Sequence, residues 1–218
     1  EISYVDWFGS VILSRSKGYR MPVFPYLVVA KYDLKEKNSN GRSSIDTAIA
    51  VDTSGSMDGP RIQVARKSGL ATSALMRELN PKNNTYLAHY NYQVYPTTPQ
   101  EFLNIRANGG TATHLALDWL IETLAVNGPA IAYLVTDGAP DNLDAAIKSA
   151  KKFRDHPYLM LRIFLIDGDE GTEANIRKIG KAAGHKTKVV PIKGYQLDQG
   201  MIKDVSECID QMYDIDQF

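Results

Sequence analysis

The 218-residue chain carries 25 Lys and Arg against 25 Asp and Glu, so its formal net charge is zero, and 44% of its residues are hydrophobic. That size suits one α/β domain with a full core and a small appendage. The charge balance argues against a dedicated nucleic-acid surface, and no apolar run reaches the roughly 18 residues that a membrane-spanning helix needs.

Cys208 is the single cysteine, so no disulfide can close within the chain. A lone thiol suits a reducing compartment, and the expected location is cytoplasmic. Residue 1 is Glu and not Met. This points to a chain trimmed from a longer one, and a removed signal or anchor would make a secreted or cell-surface location the alternative.

Residues 1–43 are expected to form an N-terminal extension packed on the main domain, too short for a core of its own. Tyr4, Phe8, Val11 and Ile12 fall at helical spacing behind Ser3, a candidate N-cap. Val11 to Leu13 equally fits the end of a strand. Pro22 and Pro25 interrupt, and residues 26–32 predict a strand. Residues 35–44, with Asn-Ser-Asn-Gly turn chemistry, read as a linker or loop.

Residues 44–218 alternate strand and helix. Residues 45–51 form a near-continuous apolar run, as a parallel strand covered on both faces requires. Pro60 opens a helix with Ile62, Ala65, Gly69, Thr72, Met76 and Leu79 on one face, and Asn80-Pro81 ends it. Residues 86–90 predict a second strand, and residues 93–95 an antiparallel edge strand before Pro96 and Pro99. Gly109-Gly110-Thr111 opens the next helix, which Asn127-Gly128-Pro129 stops. Residues 130–135 are a buried strand ending at Thr136-Asp137-Gly138. Asp141 is the expected cap of a helix running to about Phe153. Residues 159–166 are a strand, 172–183 a helix closed by Gly184, 188–192 a last strand with Pro191 marking an edge, and 197–213 a final helix. The predicted fold class is therefore α/β: a doubly wound, mostly parallel sheet with one antiparallel edge strand and helices on both faces.

Three loops follow or adjoin buried strands: Asp52-Thr53-Ser54-Gly55-Ser56, Gly109-Gly110-Thr111 and Thr136-Asp137-Gly138. In an open parallel sheet such loops share one edge and can converge. Converged, they offer two carboxylates and three hydroxyls. An all-oxygen set with no Cys or His nearby suits a hard cation, and Mg²⁺ is bound with few carboxylates and several waters.

The spacing Asp-x-Ser-x-Ser, then Gly-Gly-Thr, then Thr-Asp-Gly, each at a strand end, resembles the von Willebrand factor A domain family and its metal-ion-dependent adhesion site. The resemblance covers roughly residues 44–213. It implies that Ser54, Ser56 and Thr111 are hydroxyl ligands and that Asp52 and Asp137 act directly or through water. It also implies one open coordination position for a Glu or Asp carboxylate from a protein partner. The implied ion is Mg²⁺, with Mn²⁺ or Ca²⁺ as alternatives. The implied function is a non-enzymatic, metal-dependent protein–protein interaction module. The alternative is a non-catalytic subunit or adaptor of an AAA+ ATPase machine of the MoxR or chelatase kind. The segment between Tyr95 and Gly109 is short for the family, so its usual small helix is expected to shrink to a turn at residues 100–103.

Other readings compete. Taken alone, Asp52 and Ser54 fit equally as helix caps. A serine nucleophile at Ser54 or Ser56 needs a G-x-S-x-G elbow and a base, and Asp52 and Ser56 stand where the glycines should be. His114, the only convenient base, reads as a rim side chain; His89 and His156 read as structural, and His185 as a surface loop residue. A phosphate loop fails for want of the Gly-Lys-Ser/Thr ending. The acidic run at 167–171 lacks calcium-loop spacing. An RNA-binding relative is disfavoured by the zero net charge, and Cys208 reads as a packing residue.

Overall fold

The computed structural model describes residues 2–6, 28–32, 44–124 and 128–215. The chain divides into two compact units, Glu1–Arg42 and Ser43–Phe218. In the first, β1 (Ile2–Asp6) pairs antiparallel with β2 (Val28–Tyr32), Ile2 opposite Tyr32 and Asp6 opposite Val28. The helix expected behind Ser3 is thus corrected at its start. Ile, Tyr and Val favour strands, and a partner far along the chain supplies the backbone hydrogen bonds that helical spacing cannot foresee. Phe8, Val11, Ile12, Pro22, Pro25 and residues 33–43 lie outside the described residues.

In the second unit the chain runs β3 (Asp46–Asp52), a 3₁₀ turn (Gly55–Met57), α1 (Pro60–Leu79), β4 (Thr85–Tyr90), β5 (Val94–Thr97) and α2 (Pro99–Phe102). It continues through α3 (Thr113–Leu124), β6 (Ala130–Thr136), α4 (Leu143–Lys151), β7 (Leu159–Ile166), α5 (Glu170–Ala183), β8 (Thr187–Ile192) and α6 (Leu197–Ile215). The sheet order is β5-β4-β3-β6-β7-β8, and every pair is parallel except β4 with β5. This is the doubly wound sheet with one antiparallel edge strand that the alternating pattern predicts. The turn expected at residues 100–103 is the single α-helical turn of α2. A capping box holds it, with the Glu101 N–H donating to the Thr98 hydroxyl and the Thr98 N–H to the Glu101 carboxylate.

The two faces of the sheet are covered differently. On one, α3, α4 and α5 lie side by side. Small strand residues (Ala48, Ala50, Ala132) share a core there with Leu117, Leu120, Ala146, Ala150, Ile176 and Ile179. On the other, α1 packs against α6. Glycines let each helix receive a close neighbour: a Cβ at Gly200 of α6 would collide with Ile192 of β8, and one at Gly69 of α1 would lie 2.9 Å from the Phe102 ring. Phe102 is therefore lodged in a notch on α1. Arg66 of α1 donates to the Leu103 carbonyl (2.8 Å) and the Ile105 carbonyl (3.3 Å). Together these contacts tie the segment after β5 to α1.

All seven residues of β6 and all eight of β7 are buried, as central parallel strands must be. The one charged residue among them is Arg162. Its guanidinium donates to the Lys186 carbonyl (2.9 Å) and Gln211 (3.2 Å), and its Nε lies 3.2 Å from Asp204 Oδ2, in ion-pair contact without hydrogen-bond alignment. Burial raises the Asp204 acid and Arg162 opposes that rise. Cys208 packs beside Asp204, and burial pushes its thiol up to about 12. It is an inert core residue at physiological pH. Among the described residues no helix is long and apolar enough to cross a membrane.

Candidate metal centre

The register brings the carboxyl ends of β3, β4 and β6 to one edge, with Asp52 paired to Tyr90 and Val51 to Val135. Asp52 ends β3 fully buried. Its Oδ1 accepts from the Ser54 N–H at 2.7 Å, which closes a tight turn, and its Oδ2 accepts from the Thr136 hydroxyl at 2.6 Å. The Ser54 and Ser56 hydroxyls share a hydrogen bond at 3.1 Å, and Ser56 donates to Asp137 Oδ1 at 2.7 Å. Four of the five predicted residues thus form one hydrogen-bonded cluster. The cap reading fails here: α1 starts at Pro60 behind Gly59, and no side chain caps it.

Thr111, the fifth, is buried on the adjoining loop. No hydrogen bond joins its hydroxyl to the other four among the described residues. Its backbone is fixed instead. The Thr111 N–H donates to Asp141 Oδ2 (2.7 Å), and the Asp141 N–H donates back to the Thr111 carbonyl (3.0 Å). This corrects the expected role of Asp141. The cap of α4 is Asn142, whose Oδ1 accepts from the Ala145 N–H at 2.9 Å. Either residue type caps a helix, and the one-residue shift frees Asp141 to clamp the Gly-Gly-Thr loop. The same loop meets the first one where the Gly55 N–H donates to the Gly109 carbonyl at 3.1 Å. Gly109 has φ +91, and a Cβ on Gly110 would lie 2.5 Å from both Asp141 and the Tyr92 ring. These glycines are required by conformation and close approach.

The electrostatics of the cluster are unbalanced. Burial pushes the Asp52 acid up to about 6, and the Asp137 charge adds to the rise, while hydrogen bonds from Thr136 and Ser54 oppose it. Asp52 has no cationic partner among the described residues. Asp137, whose side chain is fully buried, has one: Arg61 Nη1 at 2.7 Å from Oδ2. Arg61 and Asp141 are the functional candidates that sequence reasoning missed. Arg61 sits five residues beyond Ser56 at the start of a helix, and only the approach of Asp137 reveals it.

The donor set fits a hard divalent ion. Oxygen atoms from two buried carboxylates and from neutral hydroxyls, Ser56 alone of the five residues being exposed, with an unneutralised acid at their centre, match a weakly charged oxygen site. Among the described residues no three His, Cys, Asp or Glu side chains are grouped so as to hold a metal ion by themselves, so softer or multi-carboxylate sites lack their ligands. The nucleophile reading lacks a base as well. Among the described residues no histidine hydrogen-bonds to Ser54 or Ser56, and His89 stacks on Tyr95 and shares a hydrogen bond with Thr53.

No protein-family model matches the chain, and no curated protein matches it. Solved structures do. An aerotolerance-related membrane protein from Bacteroides fragilis, carrying multiple mutations to serine, aligns at TM-score 0.61 and 15% identity, over 78% of this chain and 100% of the other. A von Willebrand factor type A protein from Catenulispora acidiphila aligns at 0.57 and 20% identity, over 76% of this chain and 43% of the other. The manganese-loaded TRAP protein of Plasmodium vivax aligns at 0.55 and 17% identity, over 73% of this chain and 72% of the other. At this identity the likeness establishes the fold, which is that of a von Willebrand factor A domain.

Proposed function

We propose that this domain is a non-catalytic interaction module that binds an acidic side chain of a protein partner through a divalent cation. The ion is held by Asp52, Ser54, Ser56, Thr111 and Asp137, with Mg²⁺ as the working ion and Mn²⁺ or Ca²⁺ as substitutes. The observation that carries this reading is Asp52: a fully buried carboxylate with an acid pushed up to about 6 and no cation beside it among the described residues. A buried charge without a partner is costly, and a bound cation would relieve it.

When bound, the ion supplies a concentrated positive centre able to accept one more anionic oxygen. The chain's own residues set that centre. Asp52 and Asp137 provide the charge, and the hydroxyls of Ser54, Ser56 and Thr111 provide neutral oxygens, which leaves the ion electrophilic toward a Glu or Asp carboxylate. The Asp141 clamp and the Gly55–Gly109 contact hold the two loops in place before any partner arrives. The manganese in the Plasmodium structure is a precedent for such an ion on this fold. Work as an adaptor of an AAA+ ATPase would use the same centre with a different partner, and co-purification of an ATPase would select that setting.

Calorimetric titration with MnCl₂ and MgCl₂ tests the reading. The wild-type chain is expected to bind one ion, and Thr111→Ala is expected to weaken that binding at least about tenfold while the circular dichroism spectrum is unchanged. A wild-type chain and an Arg61→Gln chain that both take up neither ion refute the proposal.

A further inference from the structure

Arg61 is an unexpected neighbour for a cation site. It is the second residue of α1, where the helix dipole disfavours positive charge, and no acidic residue stands in that first turn. What holds it lies outside the helix. Nη1 contacts Asp137 Oδ2 at 2.7 Å and donates to the Ser56 carbonyl at 3.1 Å, while Nε lies 3.8 Å from Asp167 Oδ2. Both oxygens of Asp137 are therefore occupied, Oδ1 by Ser56 and Oδ2 by Arg61.

The guanidinium thus stands between two acids of different character. Asp137 is fully buried, whereas the Asp167 side chain is about one-third exposed and also lies 3.9 Å from Lys193. Asp167 is the one non-glycine among the described residues with positive φ, +48. It opens the acidic run at 167–171, to which the metal set assigns no role. Its position gives the guanidinium a second anchor when Asp137 turns to another cation. The Arg61 side chain is 36% exposed, so it can shift between these anchors without crossing the core.

We infer that Arg61 is a tethered counter-cation that competes with the divalent ion for Asp137 and sets the ion concentration at which the centre fills, with Asp167 receiving it on displacement. The inference rests on the proposed metal-binding reading of the same site. The guanidinium and the ion bring like charges to one carboxylate, so each lowers the affinity of the other, and the coupling is reciprocal. A centre with such a competitor fills at higher free ion concentration than its ligands alone would dictate.

The test is calorimetric titration of MnCl₂ into the wild-type chain, Arg61→Gln, Asp167→Asn and Asp52→Asn at matched pH and salt. Arg61→Gln is expected to bind Mn²⁺ about fivefold tighter or more. Asp167→Asn removes the second anchor without touching the Asp137 contact, and is expected to bind about two- to fivefold more weakly. Arg61→Gln affinity equal to or below wild type overturns the inference, as does an Asp167→Asn chain that binds as tightly as wild type or tighter. If Arg61→Gln does not fold, the Asp167→Asn result decides alone. Binding by Arg61→Gln where the wild type shows none supports the inference in its strongest form. Silence in both, matching Asp52→Asn, refutes the metal reading itself and this inference with it.

Discussion

Replacing Asp52 by Asn is expected to stabilise the metal-free protein while abolishing its response to Mg²⁺. The magnitude follows from the buried acid. A displacement from 3.8 to about 6 corresponds to about 3 kcal/mol of destabilisation at neutral pH, at about 1.4 kcal/mol per pH unit. Asparagine removes that charge. Its carbonyl keeps the bond from the Ser54 N–H, while its amide can only donate to the Thr136 hydroxyl, which must turn its own hydrogen to the Gly138 carbonyl at 3.3 Å, so the charge-assisted bond to the carboxylate is lost. That loss costs about 1–2 kcal/mol. The net gain is about 1–2 kcal/mol, or a rise in melting temperature of roughly 2–8 °C for a domain of this size. The assay is thermal melting of both proteins at pH 7.5, in EDTA and in Mg²⁺. The sign with pH is fixed too. Because the folded acid lies above its unfolded value, Asp52 favours folding below about pH 4, and that contribution is lost as pH rises through about 6. The advantage of Asn should therefore shrink steadily as both proteins are melted at pH 6, 5 and 4.5. A lower melting temperature for the variant in EDTA at pH 7.5, or an advantage indifferent to pH, would refute the reasoning.

Two further outcomes test the supporting structure. Asp141→Ala removes the clamp on Thr111 and is expected to weaken Mn²⁺ binding by about 10- to 100-fold, read by calorimetry, with little change in melting temperature in EDTA. Asp204→Ala leaves the buried Arg162 without its counter-charge and is expected to cost about 3–5 kcal/mol, measured by urea unfolding, without altering the metal affinity of the folded fraction.

The parts of the molecule legible in the sequence are those fixed by local pattern. The apolar runs that became β3, β6 and β7 and the turn residues that ended the helices placed the sheet and its edges, and the loop motifs at those edges named the candidate ligands. What escaped was fixed by contacts distant in sequence. Whether Asp141 or Asn142 caps α4 cannot be decided from two adjacent residues that both cap well. The backbone of Thr111, thirty positions earlier, decides it. The pairing of β1 with β2 likewise needs a partner that no window over residues 1–13 contains. Arg162 reads as an interruption in an apolar strand until Asp204 arrives from α6 to meet it. Arg61 reads as an ordinary surface cation until the end of β6 brings Asp137 against it.

The notch on α1 has a mechanical corollary. The first turn of this helix meets the Asp-x-Ser-x-Ser loop and Asp137 through Arg61. Two turns further on, Arg66 and Gly69 grip the segment leading to Thr111. One rigid rod therefore carries attachments to all three ligand loops, two at its tip and one along its flank. A slide of α1 along its own axis would move these attachments together, so the spacing of the ligands and the position of this helix form a single degree of freedom.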